Sequence, residues 1–117
     1  MQPFFYMFLP YIRCMLLYNI TLIIEMDSEN DVISRVKDTL WSEKLPSTDF
    51  LPRLLKMQDS QHEGSTYSLQ LQVESESDML RFREHHLRGL QSNLEIDFPG
   101  KVLYFESLME YIIEMLT

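Results

Sequence analysis

Thr66-Tyr67-Ser68-Leu69-Gln70-Leu71-Gln72-Val73-Glu74 is the stretch that decides the fold. Tyr67, Leu69, Leu71 and Val73 alternate with Thr66, Ser68, Gln70, Gln72 and Glu74. Successive side chains of a strand point to opposite faces, so this period of two predicts a strand with one apolar and one polar face. Such a strand belongs in an antiparallel sheet covered on one side only.

Working outward, the polar run 59–65 (DSQHEGS) reads as a hairpin loop closing near Gly64. Residues 49–58 before it read as a partner strand. Pro52 lacks a backbone donor and therefore favours an edge position or a bulge for that strand. Residues 16–26 read as a further strand: Leu16, Tyr18, Ile20, Leu22, Ile24 and Met26 share one face, and Leu17, Asn19, Thr21, Ile23 and Glu25 the other. Val32, Ile33, Val36 and Leu40 recur at helical spacing and predict a helix over 29–41, with Ser28 and Asp31 spaced as in a capping box. Ser75 and Asp78 open a second helix in the same way. Its expected apolar stripe is Met79, Phe82, His86, Leu90 and Leu94, with Leu80 and Leu87 beside it. Gly89 inside that helix is unfavourable relative to Ala and is read as marking a close contact. Pro99-Gly100 is a turn, and the stretch from Lys101 begins as a strand whose pattern does not decide between strand and helix after Ser107.

The order is β-α-β-β-α-β. It predicts an α+β, ferredoxin-like domain in which two helices cover one face of a four-stranded antiparallel sheet. The 117 residues fit one domain, assigned to 15–117. Residues 1–14 (MQPFFYMFLPYIRC) read as an apolar extension upstream of an expected start at Met15. Pro10, Arg13 and Asn19 interrupt the apolar run, and it lacks a basic start, so neither a membrane span nor a signal peptide is expected. A net charge of −8 disfavours nucleic acid and anionic lipid as partners. The single cysteine, Cys14, cannot form an internal disulfide, and a cytoplasmic location is expected.

Several short motifs point the same way. Met15-Leu16-Leu17-Tyr18-Asn19-Ile20-Thr21, Gly64-Ser65-Thr66-Tyr67-Ser68-Leu69-Gln70, Phe82-Arg83-Glu84-His85 and Tyr104-Phe105-Glu106-Ser107-Leu108-Met109-Glu110 occur in this order. Together they resemble, over residues 15–113, an uncharacterised family of small bacterial proteins with a domain of unknown function. That resemblance implies a ferredoxin-like fold and no established activity. The chain departs from it at Leu40-Trp41-Ser42, where many members carry His-Ile-Pro.

Candidate binding residues are polar ones on one sheet face: Asn19 and Thr21 on the first strand, and Thr66, Ser68, Gln70 and Gln72 on the third. Central neighbouring strands would bring them into one hydrogen-bonding floor for a ligand or a dimer partner. His86 is read as a core or interface histidine. His85 and His86 point about 100° apart on a helix and cannot easily share a metal, and His62 lies in the hairpin loop, so no metal site is expected. Glu74, Glu76 and Asp78 suit a helix start rather than acid–base chemistry. Three glycines leave little for a phosphate loop. Met57, Met79, Met109 and Met115 are candidates for an adaptable surface or for core filling. The expected function is a homodimeric binding module without cofactor or catalytic activity, whose partners are a second copy and an unknown protein or small ligand. The alternative is a small-ligand enzyme resembling dimeric α/β-barrel monooxygenases, an analogy of fold alone.

Overall fold

The computed structural model describes residues 15–41, 52–58 and 64–112. The 1–14 extension, His62 and Met115 lie outside the described residues, as does the 49–51 part of the expected second strand. The elements are β1 (Leu16–Ile24), α1 (Glu29–Leu40), β2 (Arg53–Lys56), β3 (Ser65–Val73), α2 (Glu76–Phe82), α3 (Arg88–Asp97) and β4 (Val102–Glu110). Both pairings of β1 are antiparallel, as is β2 with β3, and the sheet order is β2-β3-β1-β4. The ferredoxin-like α+β architecture is therefore the observed one, and β4 settles the open question by staying extended past Ser107 to Glu110.

Register explains the core. Tyr18 faces Leu71 and Leu108, Ile20 faces Leu69, and Leu22 faces Tyr67 and Tyr104. These side chains meet Val32, Val36 and Leu40 of α1 and Met79, Phe82, Leu87, Leu90 and Leu94 of the second helical segment in one buried cluster. Tyr18 meets Phe82 edge to face, with ring centroids 6.4 Å apart.

Helix starts differ. Ser75 caps α2 as expected, its Oγ accepting from the Asp78 backbone N–H at 3.1 Å. Ser28 makes no such cap: a 3₁₀ turn, Met26–Ser28, precedes α1, and its hydroxyl donates to Asp27 Oδ1 at 3.1 Å instead.

The second helical segment carries the main departure. Between α2 and α3 the chain makes one π-helical turn, Arg83–Leu87. The extra residue rotates everything after it, so Leu87 takes the buried position below Phe82. His86 moves to the margin, half-buried with its ring 5.4 Å from that of Phe82, and Leu80 is exposed. Gly89 marks no close contact, since an added Cβ would meet nothing within 4 Å. Gly64 does: a Cβ there would stand 2.4 Å from the Ile24 carbonyl oxygen. The Pro99-Gly100 turn is present, with Gly100 at φ +73°.

Candidate functional site

The sheet face that no described helix covers follows from the register. β1 contributes Leu17, Asn19, Thr21 and Ile23, β3 Thr66, Ser68, Gln70 and Gln72, β4 Leu103, Phe105, Ser107 and Met109, and β2 Arg53 and Leu55. Asn19 lies opposite Gln70, and Thr21 opposite Ser68. The Ser68 hydroxyl donates to Asn19 Oδ1, Asn19 Nδ2 donates to Thr21 Oγ1 at 3.1 Å, and Gln70 Nε2 donates to Ser68 Oγ at 3.2 Å. Four of the candidate residues thus form one hydrogen-bonded chain. Gln72 stands apart, donating to the Tyr111 hydroxyl at 3.1 Å, and Thr66 is buried. His86 is on the helical layer and does not join them.

This polar row is narrow. On the β4 side Leu103 and Phe105 are 59% and 57% exposed, and Met109 is exposed with them. On the β2 side Leu55 and Met57 are exposed. Met79 is core, so the methionines divide between interior and surface. Arg53 is the one charged residue among the outward-facing strand positions described.

A second constellation, absent from the sequence-based candidates, lies on the helix side. Glu106 sits opposite Ile20, on the covered face of β4. The buried Tyr18 hydroxyl donates to its Oε1, Arg83 Nε donates to the same oxygen at 3.1 Å, and Arg88 Nη1 donates to Oε2 at 3.2 Å. The π-turn makes this possible. Residues five apart on an α-helix point about 140° from one another. Here the Arg88 N–H bonds to the Arg83 carbonyl, which stacks the two arginines on one side. Burial opposes ionisation of Glu106, but the Tyr18 hydroxyl and the two guanidinium groups outweigh it and hold its pKa below the ordinary value. Burial, then the bond to Glu106, pushes the Tyr18 phenol up to about 12. The signal was available: Glu106 shares the period-two face of Tyr104 and Leu108.

A third cluster ties α1 to the sheet. Tyr67 donates to Glu29 Oε2 at 2.5 Å and Lys56 Nζ lies 2.9 Å from the same oxygen. The Tyr67 hydroxyl and Lys56 draw the Glu29 carboxyl down to about 2. Burial lowers the pKa of His86, with the neighbouring His85 adding to it. Among the described residues no three metal-ligating side chains stand together, and no helix is long and apolar enough to cross a membrane.

An open groove of about 580 Å³ lies beside the sheet edge, lined by Lys37, Trp41, Pro52, Arg53, Leu54 and Leu55.

The fold has solved relatives in shape. A candidate antibiotic-biosynthesis monooxygenase from Bacillus cereus superposes with a TM-score of 0.57 at 13% identity, over 88% of this chain and 96% of that one. A candidate PII-like signalling protein from Thermus thermophilus gives a TM-score of 0.39 at 18% identity, over 82% and 89%. At these identities the likeness to the first shows the fold alone, and the second carries no argument. No curated protein matches the sequence. The model of one family, a domain of unknown function designated DUF4286, matches residues 15–112, and the chain belongs to that family.

Proposed function

We propose that this domain is a non-catalytic binding module that pairs with a second copy of itself through the open sheet face. The observation that carries the reading is the composition of that face. Exposed Leu55, Leu103, Phe105 and Met109 flank a polar row already bonded within itself, and Arg53 is its one charge among the described strand positions. Depletion of charge with retention of aromatic and Met side chains is the compositional mark of an interface centre. The choice of a second copy rests on electrostatics. A chain of net charge −8 repels its own kind, so two copies can meet closely only across a surface that carries almost no charge.

The area is sufficient. Strands spaced ~4.8 Å apart and rising ~3.3 Å per residue give the four strands a flat footprint of roughly 500 Å². Two copies remove roughly 1,000 Å² before side-chain relief is added, which meets the threshold of about 1,000 Å² for a specific interface. Within the row Thr21-Asn19-Ser68-Gln70 the Ser68 hydroxyl and one N–H each of Asn19 and Gln70 are already bonded, which lowers the polar cost of entering such an interface.

Sedimentation equilibrium of the full chain tests the reading. The expected result is a dimer at micromolar concentration and a folded monomer for Phe105→Glu. A wild-type protein that stays monomeric through tens of micromolar would refute it.

A further inference from the structure

Among the described residues, every lysine and arginine except two stands in an ion pair. Arg35 pairs with Asp97, Lys56 with Glu29, Arg81 with Asp78, Arg83 and Arg88 with Glu106, and Lys101 with Asp27. The two exceptions are Lys37 and Arg53, and both line the groove at the β2 edge. In a chain with 18 acidic and 10 basic side chains, these two cations stand on one groove with no acid paired to them or lining it among the described residues.

The rest of the described lining is apolar. Trp41 follows Lys37 by one helical turn, its N–H bonded to the Lys37 carbonyl at 2.9 Å, so the two share a side of the α1 end. Pro52, and Leu54 and Leu55 of β2, complete the described lining. The volume of about 580 Å³ falls within the ~300–1,000 Å³ typical of small-molecule sites. We infer that this groove binds a small aromatic carboxylate, with Arg53 and Lys37 receiving the carboxylate and the Trp41 indole and the leucines receiving the ring. The guanidinium fork matches a carboxylate in two parallel bonds, the lysine adds a point charge, and an indole face suits an aromatic ring. No residue of the polar row lines the groove, which lies at the β2 edge and shares Arg53 and Leu55 with the open face.

Trp41 is the one tryptophan of the chain, so intrinsic fluorescence reports on the groove directly. The full-length protein is titrated with 3-phenylpropanoate and, in parallel, with the uncharged 3-phenylpropanol. A saturable change in Trp41 emission is expected for the acid, with the alcohol at least about tenfold weaker, the equivalent of one charge-assisted bond. Lys37→Met and Arg53→Met are each expected to weaken the acid about tenfold while leaving the alcohol unchanged. Neither side chain has an ion pair among the described residues, and circular dichroism checks that each variant is folded. Calorimetry repeats the titration without relying on the indole. No saturable signal up to millimolar acid, equal binding of acid and alcohol, or folded variants that bind the acid as the wild type does would overturn the inference.

Discussion

Replacing Glu106 by Gln keeps the shape of the side chain and removes its charge. The Tyr18 hydroxyl and Arg83 still find the amide oxygen, but as neutral acceptor, and Arg88 faces an NH₂ group in place of Oε2. Side-chain exposure sets the size of the effect. Glu106 is 22% exposed, Arg83 27% and Arg88 44%. Arg88 regains water, and its loss is that of a surface pair, about 0.5 kcal/mol. Arg83 is more enclosed, and weakening its charge-assisted bond costs about 1 kcal/mol. The sum is about 1.5 kcal/mol, or roughly 6–12 °C in Tm for a domain of this size. Urea unfolding of wild type, Glu106→Gln, Arg83→Met and the double variant measures it, with a coupling of about 1 kcal/mol expected between the two positions. The folded pKa of Glu106 is depressed, so its contribution is complete above the unfolded carboxylate value of about 4.3 and is lost as pH falls through the lower folded value. The gap between wild type and Glu106→Gln therefore closes in acid. A coupling within about 0.3 kcal/mol of zero at neutral pH, or a gap that widens in acid, refutes this account of the cluster.

The two glycines of unlike surroundings should respond oppositely. Gly89→Ala, in open space on a helix, is expected to stabilise by about 0.5–1 kcal/mol in chemical denaturation. Gly64→Ala, driven against the Ile24 carbonyl, is expected to destabilise by about 1–3 kcal/mol. At the alkaline end, burial pushes Tyr18 and Tyr104 up to about 12, so the native state holds protons that the unfolded chain gives up near pH 10. Stability is expected to be complete below that pH and to fall as pH rises toward 12, and Tyr18→Phe with Tyr104→Phe should flatten the fall in pH-dependent urea midpoints.

The strands were legible because their information is local. Tyr67 through Val73 and Leu16 through Ile24 each announce a buried face by alternation, and the polar row Asn19, Thr21, Ser68 and Gln70 follows once β1 and β3 are neighbours. The helical segment was half legible. A period of 3.6 places His86 under Phe82, whereas the π-turn places Leu87 there, and nothing in a stripe of apolar residues reports an inserted residue. Glu106 was missed for a different reason. A carboxylate on the covered face is tolerated only because Arg83, Arg88 and Tyr18 converge from remote positions, and that convergence depends on strand register and the π-turn together. The edge groove depends on how α1 ends against β2, which neither segment's own pattern encodes.

The order of the sheet has a consequence for how the chain is made. β1 lies at the centre between β3 and β4, yet it is translated before every other described element, and β4 after all of them. The Tyr18 ring and the backbone groups of β1 that will meet Leu103 to Met109 therefore emerge from the ribosome long before their partner does. Until then the growing polypeptide displays an unpaired apolar ribbon, the kind of surface that chaperones recognise and that sister chains can capture. Closure of the sheet waits on pairings some 80 to 90 residues apart (Tyr18 with Leu108 among them), so the last step in folding this domain is slow and limited by topology.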